Sequence, residues 1–209
     1  MTKELRHQYS AIDARDRIID AALQVFADVG YAGASMRTIA EKASVSAALI
    51  HHHFKDKETL WKIVNRRISI EFREYVANGI EMKDPASSFE RLMRNFQKYW
   101  LHHPLSLRLQ LWRMLDASIE ERQSRSSFLN EYFVPKIKQA QKAGVVRDDI
   151  PAGLAMLTFG GLMLFCLNNR LEFDHAVSLD SGHRLDDDEL FTYLISLIAA
   201  SGKTDNGPL

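Results

Sequence analysis

The sequence predicts an all-α protein of about nine helices, and three observations carry that prediction. Apolar residues recur at helical spacing through nearly the whole chain, and no segment alternates apolar with polar residues for the length of a strand. The breaks between periodic stretches fall at glycines, prolines and short polar residues that stop or start helices. Composition agrees: 46% of the 209 residues are hydrophobic and 26% are charged, as in an ordinary globular protein.

From Asp13 to Val29 the apolar positions Ile18, Ala22, Phe26 and Val29 mark one helix, and Gly30 ends it. Ser35 is a good N-cap for a short helix with Met36, Ile39, Ala40 and Ala43 on its inner face. Ser44-Val45-Ser46 breaks that helix, and Ser46 caps a third one, Ala47 to His53, with Ile50 and Phe54 turned inward. A long amphipathic helix then starts at Lys57 and carries Leu60, Val64, Ile68, Phe72 and Tyr75.

Asp84-Pro85 opens the next helix, whose stripe is Phe89, Leu92, Met93, Phe96, Tyr99 and Trp100, and His103-Pro104 closes it. Leu105, Leu109, Trp112 and Leu115 continue in a further helix. Another carries Phe128, Leu129, Tyr132, Phe133, Ile137 and Ala140, passes Pro135 and ends at Gly144. From Asp149-Ile150-Pro151 onward nearly every residue between Leu154 and Leu167 is apolar, so neighbours must cover every face of that helix. A polar connection is expected over Glu172 to Arg184. The acidic residues Asp186 to Glu189 then begin a last helix, a placement that suits the helix dipole.

Several function classes are disfavoured at once. The first residues contain no apolar core with a small-residue cleavage site, and the apolar run Gly153–Leu167 is shorter than the roughly 20 residues a bilayer-spanning helix needs. Cys166 has no second cysteine to pair with. The expectation is a cytoplasmic protein with no membrane contact, no cofactor and no metal. An all-α enzyme is the rival reading, but there is no His-x-x-x-His, no Glu-x-x-His and no nucleophile motif, so no catalytic residue is assigned. Net charge is zero, although the first third of the chain leans basic.

Two short helices joined by a tight turn and preceded by a packing helix have the geometry that places one helix in a DNA major groove. Here the pattern reads Ile18-Ile19-x-Ala21-Ala22-x-x-x-Phe26-x-x-x-Gly30, then Ser35-Met36-Arg37-x-Ile39-Ala40. It continues as Val45-Ser46-x-x-x-Ile50-x-x-His53-Phe54-x-x-Lys57-x-x-Leu60. This resembles the TetR/AcrR family of repressors over about Arg15 to Val64.

The resemblance implies a homodimer whose headpieces enter successive major grooves of a palindromic double-stranded operator. It also implies a C-terminal bundle that binds a small, partly hydrophobic effector. The chain divides accordingly into an arm (1–10), a helix-turn-helix domain (11–56), an effector-binding and dimerisation domain (57–201) and a tail (202–209). Arg37 matches a base or phosphate contact. Ser46, Ala47, Ala48, Leu49 and His52 match the groove-facing helix, and His51, His53 and Lys57 match positions that touch the DNA backbone. The chain departs from the family pattern at Ser44, usually Gly, and at His51, usually Tyr. A family member that acts by protein contact without reading an operator is a third reading.

The third helix lacks Arg, Asn and Gln, the side chains that read G or A bidentately, so Arg37 is the expected base reader. Successive helical residues point about 100° apart, so His51, His52 and His53 do not converge on one ion. They are expected instead to strengthen operator binding as pH falls from about 8 to 6. For the effector the expected lining is Phe96, Trp100, Trp112, Phe133 and Met163. For the dimer it is Leu157, Gly160, Gly161, Leu164, Leu194, Ile195 and Ile198, where Gly160-Gly161 admits either a partner helix or a tight contact inside one subunit.

Overall fold

The computed structural model describes residues 3–80, 84–116 and 119–200; the expected 202–209 tail lies outside them. Ten helices follow one another among the described residues. They are α1 (Lys3–Gly33), α2 (Met36–Lys42), α3 (Ala47–His53), α4 (Lys57–Ala77), α5 (Pro85–His102), α6 (Pro104–Asp116), α7 (Ile119–Lys142), α8 (Ala152–Asn168), α9 (Arg170–Ser181) and α10 (Asp187–Ser196). Helix α1 already begins inside the stretch expected as an arm. Helix α9 fills the stretch expected as a polar connection, which raises the count from nine to ten. It buries no side chain, and its apolar residues at helical spacing, Phe173, Ala176 and Val177, span little more than one turn, too short a stripe to mark a helix in sequence. There is no strand among the described residues; Val146 and Ala199 form one isolated antiparallel bridge. No single described helix is long and apolar enough to cross a membrane.

The chain forms two compact units. The first comprises Met1–Glu74 with His103–Ser118, and the second Tyr75–His102 with Ile119–Leu209. The first unit therefore takes in more than the helix-turn-helix, adding α4 as far as Glu74 and all of α6. Its core gathers Ile18, Ala22 and Phe26 of α1, Ile39 of α2, Ile50 of α3, Leu60, Trp61 and Val64 of α4, and Leu109 of α6. Phe26 and Trp61 meet edge to face with centroids 5.0 Å apart, a favoured aromatic geometry.

Gly30 marks the kink in α1, and two constraints require a glycine there. Its φ of 70° lies in the left-handed region that favours glycine. A Cβ there would also lie 2.8 Å from Cε3 of Trp112. The Trp112 indole lies against this glycine and donates from Nε1 to the carbonyl of Ala27 at 3.1 Å. α6 is thereby fixed on α1 at the point where the chain turns toward α2.

The second unit is built on α5, whose buried face is Phe89, Leu92, Met93, Phe96, Tyr99 and Trp100. It packs with Phe133 and Ile137 of α7 and with Ala155, Phe159 and Met163 of α8, and α8 in turn packs with α10, whose buried residues are Leu190, Phe191 and Leu194. Asp186 caps α10 through a full capping box with Glu189, as its acidic start predicts.

Candidate nucleic-acid interface

Ser35 and Ser46 set the ends of the two short helices. The Ser35 Oγ accepts from the Thr38 amide at 3.0 Å, and the Ser46 Oγ accepts from the Leu49 amide at 3.1 Å. Each hydroxyl satisfies an amide that has no partner within its helix. Between the helices Ser44 takes φ 54°, the left-handed conformation that closes the turn, and Val45 donates its amide back to the Ala40 carbonyl at 3.0 Å. The departure from glycine at position 44 thus keeps the glycine-like backbone and carries strain in doing so.

With Ile39, Ala40, Ala43, Ile50 and Phe54 buried, the register of α3 is fixed. Ala47, Ala48, His51 and His52 face outward, Ser46 is exposed ahead of them, and Leu49 is half-buried. Arg37 stands out from α2 with its side chain 87% exposed, its Nε donating to Oε1 of Glu41 at 2.9 Å. The i, i+4 spacing of Arg37 and Glu41 was visible in the sequence, but Glu41 was not among the expected site residues. Lys42 and Lys55 are exposed cations beside the same two helices.

Two of the expected backbone-contacting residues sit differently from the rest. The Lys57 ammonium donates to the carbonyls of Tyr31 at 2.8 Å and Ala34 at 2.9 Å, and lies 4.4 Å from the Tyr31 ring centroid. Two of its three protons are therefore engaged within the headpiece, where they cap the end of α1. His53 is half-buried, and its Nε2 is enclosed with no hydrogen-bond partner. Burial first, then neighbouring His52 and Arg15, hold its imidazole below the ordinary histidine range.

The expected effector residues separate into two groups. Phe96 touches Trp100, Phe133 and Phe159 edge to face at centroid distances of 6.1, 6.0 and 6.0 Å, and Met163 is buried in the same unit. Trp112 belongs to the first unit, where it covers Gly30. The expected dimer residues also divide. Leu157 is 63% exposed, Gly161 is exposed, and Leu164 and Ile195 are half-buried.

Leu194 and Ile198, however, are fully enclosed within the subunit's own core, and that burial corrects their placement on an outer face. Leu194 lies on the inner side of α10, whose exposed large side chain is Tyr193, and Ile198 follows the end of that helix. Gly160 is half-buried, and a Cβ there would meet Phe96 Cζ at 3.4 Å, an ordinary van der Waals contact. Leu154, Leu162 and Phe165 join Leu157 as exposed apolar residues of α8; they were hidden in sequence because the whole helix is apolar.

Residues 18–62 match the family described as bacterial regulatory proteins, tetR family. The HTH-type transcriptional repressor AcnR of Corynebacterium diphtheriae is 32% identical over 143 residues, 66% of this chain and 70% of that protein. The HTH-type transcriptional repressor NicS of Pseudomonas putida is 25% identical over 189 residues, 88% of this chain and 89% of the relative. Among solved structures, a TetR family transcription regulator from Marinobacter aquaeolei superposes with a TM-score of 0.72 at 18% identity, covering 94% of this chain and all (100%) of that one. The matched segment coincides with α1 through the start of α4, the helices that hold the exposed face of α3, and the likeness to AcnR and NicS continues well beyond it; the chain belongs to the TetR family of bacterial regulatory proteins and is a DNA-binding transcriptional regulator.

Proposed function

We propose that this regulator is a homodimeric repressor that acts in the cytoplasm, occupies a palindromic operator through two headpieces and leaves it when a small, partly hydrophobic molecule binds the second unit. The observation that carries the reading is the pair of capped short helices whose outward face, Ala47, Ala48, His51 and His52 with Arg37 beside it, is free of the protein's own core. Arg37 is the base reader in this reading, and DNA shape supplies the rest of the specificity. Leu154, Leu157, Leu162 and Phe165 form an exposed apolar face on α8 of the kind that a second subunit covers. The aromatic group around Phe96, Trp100 and Phe133, with Met163, is the proposed effector lining.

The test is selection of genomic fragments by the purified full-length protein, followed by binding to the enriched duplex at several salt concentrations. The expected result is a palindromic consensus with half-sites about 34 Å apart and affinity that falls steeply with salt. Failure to enrich any sequence, with weak retention even at low salt, would overturn the reading in favour of a regulator that works through protein contact.

A further inference from the structure

We infer that Glu41 sets base specificity by holding the Arg37 guanidinium through its Nε edge, so that the two terminal nitrogens meet a guanine end-on. This inference rests on the reading of Arg37 as a base contact. Glu41 lies one helical turn after Arg37 on α2, and its Oε1 accepts from Arg37 Nε at 2.9 Å. The two side chains are 87% and 64% exposed, so the pair stands clear of the core and on the surface that carries Arg37.

The chemistry follows from the fork itself. A guanidinium presents its donors on two useful edges: the side edge, formed by Nε with one terminal nitrogen, and the end edge, formed by both terminal nitrogens. Guanine offers O6 and N7 as paired acceptors in the major groove. A carboxylate on Nε occupies the side edge and leaves the end edge outward. Glu41 also places a negative charge beside Arg37, which makes a DNA phosphate a poorer competitor for the guanidinium and favours the base.

In water an exposed pair of this kind is weak. At a DNA surface a pre-oriented fork retains binding energy that a freely rotating one spends on being ordered. The orientation matters here because α3 presents Ala47, Ala48, His51 and His52 outward and brings no Arg, Asn or Gln of its own.

The experiment is selection from randomised duplexes by the full-length wild type and the variants R37A, E41A and E41Q. Affinities are then measured for the best duplex and for duplexes changed one base pair at a time. Wild type is expected to prefer guanine at one position per half-site by about tenfold, within the range of one bidentate contact. R37A loses that preference. E41A stays folded by circular dichroism and binds, but its guanine preference drops to about threefold or less while other positions are unchanged. E41Q, whose amide oxygen still accepts from Nε but which lacks the charge, keeps most of the preference and exceeds E41A.

An E41A specificity matching wild type would overturn the inference. So would an affinity loss spread evenly over all positions, which is what a purely structural role in α2 produces. A guanine preference that survives R37A would instead sink the reading of Arg37 as base reader, and Glu41 with it, so the two failures are distinguishable.

Discussion

Ser44 is where backbone geometry and residue type disagree most in the headpiece. A φ of 54° costs an L-residue roughly 1–2 kcal/mol, part of which glycine returns to the unfolded chain as extra freedom. S44G is therefore expected to stabilise the protein by about 0.5–1 kcal/mol, read as a higher urea midpoint with an unchanged slope. A lower midpoint would show that the Ser44 side chain matters more than the strain. The histidines differ from one another in kind. His53 is held below its ordinary pKa by burial, so protonation favours the unfolded chain. Its contribution to stability is complete above about pH 6.5 and is lost as pH falls through the lower folded value. The proposed acid strengthening of operator binding is then expected of His51 and His52, which are exposed on the outward face of α3, and not of His53. Replacing both by Ala should flatten the pH dependence between 8 and 6, and H53Q should leave it in place. The reverse pattern in a fluorescence anisotropy titration would reject this division of labour.

At the level of elements, the helices that announce themselves in sequence are those with caps and one inward stripe. α2 and α3 were legible because Ser35 and Ser46 are side-chain caps and each helix has a single apolar face, and α10, though apolar on two sides, because Asp186 and the acidic first turn mark its start. α9 was missed because its one apolar stripe, Phe173, Ala176 and Val177, spans little more than a turn and is nowhere fully buried, while Leu171 and Leu179 are exposed, so the periodic signal is too short to distinguish it from a connection. The outward face of α3 was legible from Ile50 and Phe54 alone, whereas the placement of Leu194 and Ile198 was not. A helix that is apolar on two sides does not reveal which side its own subunit takes. Lys57 shows the same limit for a charged residue. Its spacing fits a DNA contact, but its ammonium is tied to the Tyr31 and Ala34 carbonyls, which fixes the N-terminus of α4 to the link between α1 and α2. K57M keeps the stem and removes the donors. It should cost about 2 kcal/mol, the scale of charge-assisted hydrogen bonds, in chemical denaturation. A variant as stable as wild type would return Lys57 to a role confined to the DNA backbone.

For the whole molecule, the consequence of the proposed α8 interface is avidity. If Leu157, Leu154 and Phe165 are covered by a second subunit, a glutamate at position 157 buries a charge without a partner, a penalty large enough to dissociate a dimer. The helical content should survive, because Leu157 is 63% exposed within one subunit and contributes little to that subunit's core. Operator affinity should not survive. Two linked headpieces bind with the second contact made intramolecularly, which raises affinity by about 10²–10⁴ over one headpiece. Leu157→Glu is therefore expected to halve the mass in analytical ultracentrifugation and to weaken operator binding by about that factor, with an unchanged circular dichroism spectrum. Its salt dependence should also become shallower, since one headpiece contacts fewer phosphates than two. A dimer that persists in Leu157→Glu would move the interface away from α8. A monomer that still binds the operator as tightly as wild type would show that one headpiece is sufficient and that spacing between two plays no part in release.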